Sequence, residues 1–278
     1  YSRPSLFMMT RQQWYIWCMS FLRRATLVAV PCCALTACSS NTSNSPDSST
    51  PEYLSVEVLE TAPLPENSFT QGLEEDGKGN LLLGTGKWGE SRLIRFSPAS
   101  GEVLQERALD DSLFGEGITR YNDSIWQLTW KRGQALRYDD DFQHTGTATY
   151  TGEGWGLCTH QDELVMSDGT STLRHMDPET FAQRSTTEVT LEGLPVDNLN
   201  ELECVDGDVY ANVWQSNDIY RIDPSSGEVT AVISTDAIDK SKYTDPDDVL
   251  NGIAHIEGTD EFWLTGKRWN ELYRVRVK

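Results

Sequence analysis

Basic residues are scarce in this 278-residue chain: 23 Lys and Arg stand against 43 Asp and Glu, a formal charge of −20. So acidic a surface repels phosphate backbones, which argues against nucleic acid as a partner. Histidine is scarcer still. His144, His160, His175 and His255 show no paired spacing, and neither HExxH nor CxxC occurs, so no zinc site is expected. Also missing are a Gly-x-Ser-x-Gly nucleophile turn and a phosphate-binding glycine loop. Asp76-Gly-Lys-Gly-Asn80 has no downstream glutamate of the EF-hand kind and reads as a plain turn. Tyr243-Thr-Asp-Pro-Asp-Asp248 reads as a solvated acidic loop, with a structural calcium as the alternative. The apolar run from Ala25 to Leu35 falls short of the about 20 residues that a bilayer-spanning helix needs.

That run belongs to a segment unlike the rest. No acidic residue precedes Ala37, and the basic stretch Met19-Ser-Phe-Leu-Arg-Arg24 leads into the apolar one. This is the order of an export signal. It ends in Leu35-Thr-Ala-Cys38, which is similar to a bacterial lipobox, where the cysteine carries lipid and fixes the chain to a membrane. An ordinary small-residue cleavage site is the alternative. Residues 1–18 fit no region of such a signal. Ser39 to Pro51 is rich in Ser, Thr, Asn and Pro and cannot bury enough to order itself. The expected organisation is therefore an export signal at 1–38, a tether at 39–52 and a folded domain at 53–278, held in the cell envelope or periplasm. Without the four arginines ahead of the tether, 19 basic residues face 43 acidic ones, a charge of −24.

Four of the six cysteines, Cys18, Cys32, Cys33 and Cys38, fall in or before the signal. Cys158 and Cys204 are left as one pair in an exported domain, where disulfides persist.

The domain itself is repetitive. Gln71-Gly-Leu73, Glu116-Gly-Ile118, Trp155-Gly-Leu157, Asn200-Glu-Leu202 and Asn251-Gly-Ile253 share one frame, at intervals of 45, 39, 45 and 51 residues. A period near 45 signals a repeat architecture. Each frame opens an inner strand, followed by alternating runs such as Leu81–Thr85, Ser124–Trp130, Asp208–Trp214 and Glu271–Val277, rich in β-branched and aromatic residues. Repeats of this length with about four strands are propeller blades. The predicted fold is all-β, a five-bladed β-propeller. Its last repeat stops after three strands, so the unassigned strand Tyr53–Leu59 is expected to close that blade and remove an exposed edge. Asp236 to Asp248, in the longest interval, reads as a surface insertion with a short helical turn. In aligned strands Cys158 and Cys204 differ in parity, so in successive blades they face the shared interface. A disulfide is expected, with two buried thiols as the other reading.

In a propeller, the loops at one end make a shared mouth. Gln71, Glu116, Trp155, Asn200 and Asn251 should converge there, joined by a second ring of Lys87, Trp130, Asp168, Trp214 and Lys267 at the ends of the second strands. Phe69 and Phe114 precede the first two ring positions. Singly, such residues pack between blades or satisfy backbone groups. Together they describe an aromatic-walled cavity with a few polar groups, the make-up of a small-ligand site.

The segments Phe69-Thr-Gln-Gly-Leu73, Phe114-Gly-Glu-Gly-Ile118, Gln127-Leu-Thr-Trp130, Glu153-Gly-Trp-Gly-Leu157, Ser167-Asp-Gly169, Asn200-Glu-Leu-Glu203, Ala211-Asn-Val-Trp214, Val249-Leu-Asn-Gly-Ile253 and Leu264-Thr-Gly-Lys267 give the chain its family likeness. It resembles the plant and bacterial glutaminyl-peptide cyclotransferases (glutaminyl cyclases), a five-bladed propeller family. The resemblance implies cyclisation of an N-terminal glutamine of a peptide or protein to pyroglutamate with loss of ammonia. It implies no catalytic metal; separately, no cofactor is expected and the domain is expected to act as a monomer. It casts Glu116 as general acid/base, and Phe69, Gln71, Phe114, Trp130, Trp155, Asn200, Trp214 and Lys267 as the substrate pocket. Aromatic walls would raise the Glu116 pKa and a nearby lysine would lower it; the sequence leaves the balance open. A metal-dependent lactonase-type propeller and a non-catalytic cell-surface propeller that captures a peptide or glycan are the rival readings. The first needs several acidic or amide ligands around one cation, whereas Glu116 and Asp168 are the ring's only carboxylates.

Overall fold

A computed structural model describes residues 50–278; the export signal, Cys38 and residues 39–49 of the expected tether lie outside the described residues. Among the described residues every regular element is a strand. The N-terminal strand is β1 (Glu52–Pro63). Blade one is the meander β2 (Thr70–Glu75), β3 (Leu81–Thr85), β4 (Arg92–Phe96), β5 (Val103–Ala108). Blade two is β6 (Gly115–Tyr121), β7 (Ser124–Thr129), β8 (Gln134–Tyr138), β9 (His144–Thr149). Blade three is β10 (Leu157–His160), β11 (Glu163–Met166), β12 (Thr172–Met176), β13 (Gln183–Glu188). A small hairpin, β14 (Thr190–Leu191) with β15 (Leu194–Pro195), leads into blade four: β16 (Leu199–Val205), β17 (Asp208–Val213), β18 (Asp218–Ile222), β19 (Val229–Ser234). Blade five is β20 (Leu250–His255), β21 (Glu261–Gly266), β22 (Glu271–Val277), completed by β1.

Burial explains the sequence of each strand. The second strand of a blade is covered on both faces, so β3 is the unbroken run Leu81-Leu-Leu-Gly-Thr85, wholly buried. The outermost strand meets water, and β5, β9 and β13 are correspondingly polar and exposed. Aspartates shape the turns into the outer strands of three blades. Asp139, Asp177 and Asp223 each accept hydrogen bonds from backbone N–H groups two to four residues ahead, at 2.7–3.1 Å. Such turns pre-form the hairpin locally.

The N-terminal strand closes the ring as expected, but it is longer than Tyr53–Leu59 and does more. Val56–Pro63 pairs antiparallel with β22, while Glu52–Ser55 pairs in parallel with β19 of blade four. Blades four and five thus share one eight-stranded sheet across the seam. Glu52, placed in the tether by composition, is already ladder-bonded. The insertion from Asp236 to Asp248 contains hydrogen-bonded turns and no helical turn; Asp245 and Asp248 both accept from Arg268, in the turn after β21, which ties the loop to blade five.

Five apolar clusters fill the gaps between neighbouring blades, the last joining Leu73, Leu81 and Leu83 of blade one to Ala254, Trp263 and Leu272 of blade five. Across one gap, β10 and β16 are linked by the disulfide Cys158–Cys204, with Cα atoms 5.5 Å apart. At the axis the inner strands approach so closely that the frame glycines are obligatory. A Cβ on Gly117 would lie 2.6 Å from Trp155 O, and one on Gly156 would lie 2.0 Å from Asn200 O. Blade four departs from this pattern. Glu201 occupies the glycine position, and its carboxylate crosses the axis to accept from Leu73 N at 3.1 Å and Ile253 N at 2.9 Å. One side chain thereby pins three blades.

Candidate active site

The starts of the first strands and the ends of the second strands surround a cavity of about 480 Å³. Phe69, Gln71, Phe114, Glu116, Trp130, Trp155, Asn200, Trp214, Asp247 and Lys267 line it. The structure thus brings together the carboxylate and all eight pocket residues named from sequence. The walls are built by edge-to-face aromatic contacts. Phe114 meets Phe69 at 6.1 Å and Trp130 at 5.5 Å, and Trp155 meets Trp214 at 6.2 Å between ring centroids. Gly169, at φ +83°, lies under the Trp155 indole, where a Cβ would stand 2.7 Å from the ring; this accounts for the Ser167-Asp-Gly169 segment.

Glu116 sits on β6 at the floor of the cavity and is 3 % exposed. Gln71 Nε2 donates to Glu116 Oε1 at 2.8 Å. Asn251 fixes Gln71 in turn: its Nδ2 donates to Thr70 O at 2.9 Å and to Gln71 Oε1 at 3.3 Å. Burial pushes the Glu116 carboxyl well above the usual range. The Lys267 charge and the Gln71 hydrogen bond oppose that shift, and the Glu153 charge adds to it. The balance left open by the sequence therefore falls to desolvation. Burial lowers the Lys267 ammonium, while Glu116 and Asp247 raise it. No carboxylate among the described residues lies within 4.0 Å of Lys267. Its Nζ stands 5.6 Å over the Phe69 ring. Asn200 is 1 % exposed, and neither its Oδ1 nor its Nδ2 has a partner. A buried amide with both ends free, facing a cavity, is placed to pair with a ligand that carries a donor and an acceptor.

Three ring residues do not line the cavity. Asn251 is buried one layer behind Gln71. Asp168 turns back to cap Thr170, accepting from its hydroxyl at 2.6 Å. Lys87, at φ +87°, sits 3.8 Å from Glu90 and 5.7 Å over the Phe69 ring. Asp247, from the insertion, was missed by sequence reasoning because it has no counterpart in other repeats. Glu153 was also missed as a site residue, although it lies in a quoted segment two positions before Trp155. Among the described residues no group of three or more His, Cys, Asp or Glu gathers in a metal-holding arrangement.

The family model described as glutamine cyclotransferase matches residues 29–277. A glutaminyl-peptide cyclotransferase of Arabidopsis thaliana is 34% identical over 233 residues, covering 80% of this chain and 71% of that one. The crystal structure of a Myxococcus xanthus glutaminyl cyclase superposes with a TM-score of 0.77 at 35% identity, over 82% of this chain and 98% of that one. A PQQ-bound aldose sugar dehydrogenase of Streptomyces coelicolor, 14% identical with a TM-score of 0.54 over 82% of this chain and 100% of that one, shares the fold alone.

Proposed function

The chain belongs to the glutamine cyclotransferase family, and on that premise we propose that Glu116 is the general acid/base that cyclises an N-terminal glutamine in this cavity. The observation that carries the assignment is the buried Glu116 carboxyl, held by Gln71 on the floor of an aromatic pocket that also presents Lys267 and an unpartnered Asn200.

The substrate's own α-amine is the nucleophile. With an ordinary pKa of about 7.7–8.0, a useful fraction is neutral near pH 7. The amine attacks the side-chain amide carbon, a C–N bond forms, and a tetrahedral centre with a negatively charged oxygen results. Glu116 takes the proton released from the nitrogen and returns it to the departing amide nitrogen. The C–NH₂ bond breaks, and ammonia leaves with the five-membered lactam closed. A carboxyl whose pKa is raised towards neutrality suits both halves of that exchange. Lys267 stabilises the developing oxyanion. Asn200 pairs with the substrate's amide or amine through its two free ends, and Gln71 fixes the orientation of Glu116. Because the reaction is intramolecular, holding the glutamine side chain curled over its own amine supplies much of the acceleration. The indole walls serve that purpose and exclude water.

No step calls on a metal. The proposed setting, a lipid-anchored enzyme acting on exposed N-terminal glutamines in the cell envelope, is supported by Leu35-Thr-Ala-Cys38 and the tether composition. The test is ammonia release from a glutamine-initiated dipeptide amide, with and without EDTA. Turnover unchanged by chelation is expected. Turnover lost on chelation and restored by added cation would overturn the metal-free mechanism.

A further inference from the structure

The Trp130 and Trp155 indoles come from the ends of different strands, yet their N–H groups converge on a single atom. Glu153 Oε2 accepts both, at 2.6 Å from Trp130 Nε1 and 3.0 Å from Trp155 Nε1. Glu153 lies in the segment that joins β9 to β10, and the backbone there is held tightly. Gly154 N donates to Trp130 O at 3.1 Å, and a Cβ on Gly154 would stand 2.2 Å from the Tyr150 hydroxyl oxygen. The other carboxylate oxygen lies 3.8 Å from Lys131 Nζ, and that ammonium stands 3.9 Å over the Trp130 ring. Glu153 does not itself line the cavity.

We propose that Glu153 is a positioning residue, whose carboxylate ties the Trp130 and Trp155 indoles into one fixed wall for the glutamine side chain. Charge-assisted hydrogen bonds are about twice as strong as neutral ones, and two of them on one atom remove the freedom of both rings to swing. A preorganised slot binds its ligand without losing side-chain entropy at that moment. The charge of Glu153 has a second effect. Facing Glu116 are Lys267 and Gln71, which favour its ionised form, Glu153, which opposes it, and the neutral hydroxyl of Tyr150. Asp247 faces Lys267, and Lys131 faces Glu153.

The pH part of the test rests on Glu116 as acid/base, whereas the binding part does not. Binding of a pyroglutamyl-dipeptide amide, the reaction product, is measured by calorimetry in a Glu116→Gln background, alone and with Glu153→Ala or Glu153→Gln. With Glu153→Ala the product Kd, and KM in the otherwise native enzyme, rise about tenfold. Glu153→Gln keeps an acceptor oxygen and returns both to within about threefold of the original. In the native background Glu153→Gln also moves the acid limb of kcat/KM to lower pH, since a negative charge facing Glu116 is gone. Unchanged Kd and KM in a folded Glu153→Ala protein overturn the proposal, as does a Glu153→Gln protein no better than Glu153→Ala. Should Glu153→Ala fail to fold, Glu153→Asp, whose shorter side chain withdraws the carboxylate from both indole N–H groups, takes its place, and an unchanged product Kd in that protein overturns the proposal. Failure of the Glu116 assignment would appear separately, as turnover surviving in Glu116→Gln alone.

Discussion

Replacing Glu116 with Gln should move activity and stability in opposite directions. The substitution preserves shape, and Gln71 Nε2 can still donate to the new side-chain oxygen across the 2.8 Å contact. Loss of a positioned acid/base costs about 10²–10⁴ in rate, equivalent to about 3–5 kcal/mol of transition-state stabilisation. Substrate binding by the aromatic walls and Asn200 is untouched, so the loss belongs to kcat, with KM within a few-fold of the original. Stability should rise. Burial holds the Glu116 pKa above its unfolded value near 4.5, so the folded protein retains a proton there that the unfolded chain has already released. By linkage, this group costs nothing below the unfolded pKa and destabilises the fold increasingly as pH rises towards its folded pKa. A neutral glutamine escapes that cost, and the gap between variant and native protein opens above about pH 4.5. Urea denaturation at several pH values measures the stability, and ammonia release at saturating peptide measures the rate. A variant that is folded and retains kcat within tenfold of the native enzyme would refute the assignment of Glu116. A variant that is both slow and less stable would mean that the rate loss reports disruption of the site.

Two further outcomes test the frame that carries the site. Glu201→Leu keeps bulk but leaves Leu73 N and Ile253 N unpaired, at about 1–3 kcal/mol for each buried donor; an unchanged urea midpoint would show that the cross-axis bonds contribute nothing. Cys158→Ser with Cys204→Ser opens a link between residues 46 apart in sequence, which on the chain-entropy account costs about 4 kcal/mol; equal midpoints for the oxidised and the doubly substituted protein would refute that account here.

Much of this structure is legible in the sequence because a propeller repeats its physics. The frame Gln71-Gly-Leu73 and its counterparts mark where inner strands begin, and the alternating runs after them lie within a residue or so of the observed β3, β7, β17 and β22. Parity together with the assignment to successive blades places Cys158 and Cys204 at one interface, where the disulfide lies. The rest was hidden where repetition fails. Asp247 reaches the cavity from the insertion that breaks the period, so no neighbouring repeat indicates its place. Asn251 occupies a ring position by alignment, yet its amide is taken by Thr70 O and Gln71 Oε1, a partnership that forms only on closure of blade five against blade one. Asp168 and Lys87 stand at strand ends where the chain turns away, and the turn claims their side chains. The role of Glu153 depends on two indoles from separate segments meeting at one oxygen, which no spacing reveals.

Glu201 gives the ring a sense of position that its near-symmetry conceals. Four of the five frames leave the axis free by carrying glycine, and one supplies the group that fills it. Blade four is therefore not interchangeable with its siblings. A copy of blade one in its place would empty the hub, and a second copy of blade four elsewhere would press two acids into a channel with donors for one. The hub works as an index mark. It records which blade is which, and it limits blade shuffling in this scaffold to exchanges that keep one acid and four glycines around the axis.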